Sequence, residues 1–322
     1  MARVTVVDAV PENSRVPPSH RRPGRPNVLI IVVCAVVAVA ALSIGGWIVA
    51  SGSDDDSDGA KPGASSAPTA AAQLNTKKGA ALNPFGPVTE ALKDSGVSWY
   101  YDWDGSPQGI KAPSGVQYVP MIWGDKAAND PKTLAAVKKE GNTLLGFNEP
   151  DFESQSNMTP DEALELWPKL EATGMRLGSP APANGAADDG SWFDEFMKGA
   201  EERGYKIDFI ALHWYGGNFE TEEAVAGLKE YLQAVYDKYQ KPIWLTEYAL
   251  INFANGGADV ASEDQQVAFV KASTEMLDGL SFVERYSWFK FSPPKKGGQA
   301  GTTLYNDDGS TTPMGDAYRD AG

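Results

Sequence analysis

Two glutamates stand where apolar runs break into polar residues. Leu144-Leu145-Gly146-Phe147 ends in Asn148-Glu149-Pro150-Asp151, and Ile243-Trp244-Leu245-Thr246 ends in Glu247-Tyr248. Paired carboxylates suit cleavage of a glycosidic bond, because one must donate a proton while the other attacks or stabilises a developing oxocarbenium ion. Either glutamate alone could simply cap the next helix or pair with a lysine. Two at matching positions, in an aromatic-rich chain, point to catalysis. His213-Trp214-Tyr215 closes the apolar run just before the Glu247 segment. From there His213 or Tyr215 could hydrogen-bond the attacking carboxylate. Aromatics close the other runs: Tyr101 and Trp103, Trp123, and Trp288 with Phe289. Flat apolar rings stack on the axial C–H faces of sugars, so Trp288, Trp123, Trp103 and Tyr101 are the candidate sugar platforms.

These residues need a frame that brings distant strand ends together. Eight short apolar runs alternate with helical patterns: Gly79–Leu82, Val97–Trp103, Val116–Trp123, Thr143–Asn148, Met175–Ser179, Ile207–Trp214, Pro242–Thr246 and Val283–Phe291. Helix signals fall between them. Thr159-Pro160-Asp161-Glu162 reads as a capping box with proline at the first helical position, and Gly174 ends that helix. Ser262-Glu263-Asp264-Gln265 opens another that Gly279 closes, and Pro131–Glu140 and Thr221–Tyr239 supply two more. Strand–helix alternation over residues 78–322 predicts an α/β fold with a parallel sheet, a (β/α)8 TIM barrel. In such a barrel the C-terminal strand ends share one mouth. Glu149 then ends the fourth strand and Glu247 the seventh, both facing that mouth.

Composition excludes several rival chemistries. The 322 residues include one Cys and two His, which leaves no disulfide framework, no iron–sulfur cluster and little for a zinc site. No metal and no cofactor are expected. A net charge of −15 argues against nucleic acid as a partner. There is no Walker phosphate loop, no Gly-x-Gly-x-x-Gly and no Gly-x-Ser-x-Gly elbow.

The N-terminal region has a different character. Residues 1–27 form a basic arm with five Arg against one Asp and one Glu, expected to be disordered and cytoplasmic. Val28–Ala50 is an uncharged, mostly apolar run whose helical length, at about 1.5 Å per residue, is roughly 34 Å. Arginines before it and aspartates after it predict a signal anchor with the catalytic domain outside the cell membrane. Secretion after signal cleavage is the alternative. Residues 51–77, rich in Ser, Gly, Ala, Asp and Pro, read as a flexible linker.

The two glutamate motifs, Gly146-Phe147-Asn148-Glu149-Pro150-Asp151 and Trp244-Leu245-Thr246-Glu247-Tyr248-Ala249, resemble those of glycoside hydrolase family 128. Supporting matches are Trp99-Tyr100-Tyr101-Asp102-Trp103, Tyr118-Val119-Pro120-Met121-Ile122-Trp123, Ile210-Ala211-Leu212-His213-Trp214-Tyr215 and Arg285-Tyr286-Ser287-Trp288-Phe289. The tail Leu304-Tyr305, Gly309, Pro313-Met314-Gly315 and Tyr318 also fits. Gly79-Ala80-Ala81-Leu82-Asn83 is a looser version of the family's first strand. The resemblance spans about residues 78–322. It implies a retaining endo-β-1,3-glucanase acting on a polysaccharide β-glucan, with Glu149 as acid/base, Glu247 as nucleophile and Asn148 contacting the sugar 2-hydroxyl. The alternatives are a barrel glycosidase for another β-glycan and a non-catalytic cell-surface glycan-binding protein.

Overall fold

The computed structural model describes residues 75–254, 257–294 and 301–322. The basic arm, the apolar run Val28–Ala50 and all of the linker except residues 75–77 lie outside the described residues. Among the described residues no helix is long and apolar enough to cross a membrane.

The strands are β1 (Asn75–Ala81), β2 (Val97–Tyr101), β3 (Gln117–Tyr118), β4 (Thr143–Leu144), β5 (Arg176–Leu177), β6 (Ile210–Tyr215), β7 (Ile243–Ala249), β8 (Ile251–Asn252), β9 (Asp259–Val260) and β10 (Val283–Trp288). The helices are α1 (Val88–Asp94), α2 (Asp125–Asn129), α3 (Pro131–Val137), α4 (Pro160–Glu171), α5 (Trp192–Glu202), α6 (Thr221–Tyr239), α7 (Glu263–Gly279) and α8 (Pro313–Asp320). The expected capping box of Thr159 with Glu162 opens α4, and α7 opens at the expected Ser262, which also makes a capping box with Gln265.

One parallel sheet runs in the order β3-β2-β1-β10-β7-β6, and β4 pairs with β5 in parallel. Single parallel bridges, Met121 with Leu145 and Gly178 with Phe209, join the β3 and β6 segments to that pair. The result is an α/β fold with a parallel sheet, consistent with a (β/α)8 barrel. One sequence expectation needs correction. The first strand begins at Asn75, ahead of the expected Gly79 start. Its polar head is useful there: Lys77 Nζ donates to the carbonyls of Leu277, Asp278 and Leu280 at the end of α7. Buried Lys78 does the same for Tyr318, Arg319 and Ala321 at the end of α8. The antiparallel pair β8–β9, directly after the Glu247 strand, was not expected.

The core has two layers. Trp99, Tyr101, Phe209 and Trp244 pack together with Val119, Met121 and Leu145 in one cluster. Phe209 stacks on Trp244 with ring centroids 4.2 Å apart, and the Arg285 guanidinium lies over the Trp244 ring, 4.4 Å from its centroid. The larger cluster takes the opposite strand faces, including Leu212, Leu245, Tyr286 and Trp288, against helix residues such as Trp167, Leu228 and Phe269. Alternate residues of a strand point to opposite faces, so β1, β2, β6 and β7 each supply both layers.

Candidate active site

The Glu149 segment follows β4 closely against β5. A Cβ at Gly146 would meet the Ser179 backbone at 2.8 Å and the Gly178 oxygen at 2.9 Å, so only glycine allows this approach. The Asn148 amide donates to the Trp123 carbonyl (2.9 Å) and the Glu149 amide to the Ala181 carbonyl (2.8 Å). Glu149 has φ of +41°, the left-handed region that non-glycine residues seldom occupy. Such a conformation costs on the order of 1–3 kcal/mol and persists where the surroundings over-determine it.

Glu247 sits within β7 and is almost fully buried. Its pairing is irregular. On the β6 side Leu212 faces Leu245, but the next pair is His213 with Glu247. On the β10 side Tyr286 faces Leu245, and Trp288 then faces Tyr248. β7 therefore carries one extra residue against both neighbours, a bulge that re-aims the side chains beyond it.

These two backbone features bring the glutamates together around one imidazole. His213 Nδ1 lies 2.9 Å from Glu149 Oε1, and its Nε2 lies 3.3 Å from Glu247 Oε1, off hydrogen-bond alignment. Burial opposes charge on His213, yet the Glu247 carboxylate and the hydrogen bond to Glu149 outweigh it and lift the imidazole above its ordinary value. The remaining neighbours of Glu247 are donors. Trp103 Nε1 donates to Oε1 at 2.8 Å and Tyr101 OH to the same oxygen at 3.2 Å, while Tyr215 OH donates to Oε2. Burial, then the Glu247 charge, pushes both phenols far up, so they stay protonated and keep donating.

Glu149, His213 and Glu247 can each offer one ligand atom within 4.8 Å of the others, the set best able to hold a metal ion among the described residues. However, the imidazole turns opposite nitrogens to the two carboxylates. A single ion would need both on one nitrogen. The arrangement suits a hydrogen bond to Glu149 and an electrostatic contact with Glu247 better than coordination.

The aromatic candidates divide. Trp103 and Trp123 are half-buried against the smaller core cluster and keep part of their surface open. Tyr101 is fully buried, stacked on Trp99 and tilted against Trp103, so it serves Glu247 rather than a sugar face. Trp288 is also fully buried: its Nε1 donates to the Thr302 carbonyl at 2.7 Å and its ring packs on Tyr248 and Phe269. It belongs to the core, correcting its reading as a platform. The next residue, Phe289, takes the opposite direction, with its ring edge-on to Tyr215 at 5.5 Å and near Trp103 at 6.1 Å. Phe253, between β8 and β9, meets Tyr215 edge-on at 5.4 Å. Strand alternation could have found Phe289; nothing in the sequence pointed to Phe253.

Asn148 is buried and directs Nδ2 to Gln155 Oε1 at 3.4 Å, leaving Oδ1 without a hydrogen bond. A cleft of about 440 Å³, with Gln155 and Ser156 among its lining residues, adjoins the site there but contains neither glutamate. Behind Trp103, Asp102 Oδ1 accepts from Tyr118 OH (2.7 Å) and from the Asp104 amide (3.2 Å). Burial pushes the Asp102 carboxyl up to about 7.

The sequence profile of the family described as "Glycosyl hydrolase catalytic core" matches residues 79–318. A solved endo-β-1,3-glucanase of glycoside hydrolase family 128, subgroup I, from Amycolatopsis mediterranei, in complex with laminaritriose, is 50% identical with a TM-score of 0.73, covering 77% of this chain and 100% of its own. A subgroup III curdlan-specific exo-β-1,3-glucanase from Blastomyces gilchristii, in complex with glucose, is 32% identical with a TM-score of 0.60, covering 76% and 97%. Alkali-sensitive linkage protein 1 of Schizosaccharomyces pombe is 32% identical over 235 residues, 70% of this chain. The chain spans 40% of the length of that relative.

Proposed function

We propose that this chain, a glycoside hydrolase that belongs to the glycosyl hydrolase catalytic core family and is of the family 128 type, is an endo-β-1,3-glucanase working on a closed (β/α)8 barrel with retention of configuration. The observation that carries the reading is the carboxylate pair: oxygens of Glu149 and Glu247 lie within 4.8 Å, bridged by His213. Retaining enzymes hold their two carboxyl groups about 5–5.5 Å apart, whereas inverting ones need roughly 6.5–9.5 Å to admit a water.

In this reading Glu247, held by donors on both oxygens, attacks the anomeric carbon while Glu149 protonates the departing glycosidic oxygen. The C–O bond to the leaving sugar breaks and a covalent glycosyl–Glu247 ester forms. Glu149, now a base, then takes a proton from water, which displaces Glu247 and restores both groups. His213 stays hydrogen-bonded to Glu149 and close to Glu247 through this cycle. Asn148 is assigned to the sugar 2-hydroxyl, and its unpaired Oδ1 supports that role. The subgroup I relative, an endo-β-1,3-glucanase seen with laminaritriose, supports the linkage and the endo mode. We extend the proposal to location: the apolar run Val28–Ala50 tethers the enzyme outside the cell membrane, so protease treatment of intact cells should release activity.

The test is product analysis on a panel of soluble β-1,3-, β-1,4- and mixed-linkage glucans. The expected result is oligomeric products from the β-1,3-glucan, with the β-anomer appearing first by NMR. Glu149→Gln and Glu247→Gln should each abolish that release in folded protein. An α-anomer appearing first, or near-parental activity of either variant, would refute the mechanism.

A further inference from the structure

The left-handed Glu149 precedes Pro150, and the residue before a proline is normally driven toward extended backbone. Something must hold it. Two residues later, Asp151 Oδ1 accepts from the Ala183 amide at 2.7 Å and Oδ2 from the Asn184 amide at 3.2 Å. The Ala181 carbonyl of the same segment accepts the amide of Glu149 itself at 2.8 Å. Residues 149–151 and 181–184 are thus closed into a ring by three hydrogen bonds, with the proton-carrying carboxyl at one corner. Both oxygens of Asp151 are committed to backbone amides of the segment after β5. Hydrogen bonds from N–H groups to an ionised carboxylate are roughly twice as strong as neutral ones.

We propose that Asp151 is a positioning residue: by clamping the loop after β4 to the segment after β5, it keeps Glu149 in the conformation that delivers its proton to the glycosidic oxygen. This rests on the reading of Glu149 as the acid/base. Asp151 is half-buried and its charge also reaches His213, where it adds to the fields of the two glutamates. A misplacement of about 1 Å in a reacting group is enough to lose on the order of 100-fold in rate. General acid catalysis as a whole contributes about 10²–10⁴-fold, which bounds what the clamp can protect.

The experiment uses the full chain with Asp151→Ala, Asp151→Asn and Glu149→Gln. Each is assayed on laminarihexaose, whose sugar leaving group needs a proton, and by single-turnover release of dinitrophenolate from 2,4-dinitrophenyl β-laminaribioside, whose leaving group does not. For Asp151→Ala the expected kcat on laminarihexaose falls about 10- to 100-fold with KM within about twofold, while dinitrophenolate release falls less than about threefold. Asp151→Asn keeps the shape but only one acceptor oxygen, and should lie between parent and alanine variant. Parental kcat on laminarihexaose in both variants overturns the proposal, as does an equal loss on both substrates, which marks general structural damage. If Glu149→Gln discriminates between the substrates and the Asp151 variants do not, the clamp fails alone. If Glu149→Gln itself loses both equally, the acid/base assignment fails and this proposal with it.

Discussion

The two oxygens of Glu247 are served unequally, and that asymmetry sets a measurable order among the tyrosines. Oε1 receives Trp103 Nε1 at 2.8 Å and Tyr101 OH at 3.2 Å, and faces His213 Nε2 at 3.3 Å. Oε2 receives Tyr215 OH and no other donor among the described residues. Tyr101 also divides its hydroxyl between Glu247 and the Thr246 carbonyl, 3.1 Å away. Tyr215→Phe removes the sole donor to one oxygen while keeping the ring against Phe253 and Phe289. A hydrogen bond to a charged group contributes about 1.5–3 kcal/mol. At about 1.36 kcal/mol per tenfold, the expected loss in kcat/KM is roughly 10- to 150-fold. Tyr101→Phe leaves Trp103 on the same oxygen, so its loss should stay below about tenfold.

The assay is initial-rate release of reducing ends from a soluble β-1,3-glucan, with circular dichroism and melting temperature to show that each variant is folded. A Tyr215→Phe enzyme within threefold of the parent would sink the argument. So would a Tyr101→Phe enzyme that is the more damaged of the two, because the donor count on each oxygen would then not govern Glu247.

Trp288 and Phe289 should separate stability from activity. Trp288→Ala empties a fully buried site and is expected to lose about 3–5 kcal/mol in chemical denaturation, whereas Phe289→Ala should melt close to the parent yet raise KM for the glucan several-fold; equal stability losses would refute the assignment of the two rings. Asp102 supplies a pH test. Its folded carboxyl is raised to about 7 from the ordinary 3.8, chiefly by burial, so the folded chain holds that proton more tightly than the unfolded one. Stability contributed by the neutral form is therefore lost as pH rises through the window from about 4 to about 7, by at most about 4 kcal/mol. Asp102→Asn removes the titration, so its melting temperature should gain on the parent between pH 4.5 and pH 8; a constant difference across that range would contradict the linkage.

The eight strand runs and the caps at Thr159 and Ser262 were legible because they depend on local pattern: apolar runs, turn residues and a side chain three positions from its partner. The two glutamates were legible by chemical type and by place at a strand end. Direction was not. In Arg285-Tyr286-Ser287-Trp288-Phe289, Tyr286 and Trp288 share the helix-facing layer, while Ser287 points the other way and donates to the Thr246 carbonyl. Nearly every residue there is aromatic or buried, so composition gives no phase and the larger ring was the wrong choice. Phe253, Gln155 and Asp151 escaped for another reason: they act from loops, and a loop residue's partner is decided by tertiary position rather than by spacing.

Both glutamates lie at breaks in regular backbone. Along β7, Ile243 and Leu245 face the helices and Trp244 faces the inner cluster, so strict alternation would send Glu247 outward with them. The extra residue in β7 resets the phase: Glu247 turns in beside His213 and Tyr101, and Tyr248 takes the outward place in the core. Glu149 reaches the same point through a left-handed residue instead of a bulge. Local rules fail where a fold serves chemistry, and here they fail at the two positions whose residue types announced that chemistry. Residue type identifies the reacting groups; the irregular backbone beneath them, braced at Ala181, Asp151 and the Thr246 bulge, makes them face each other.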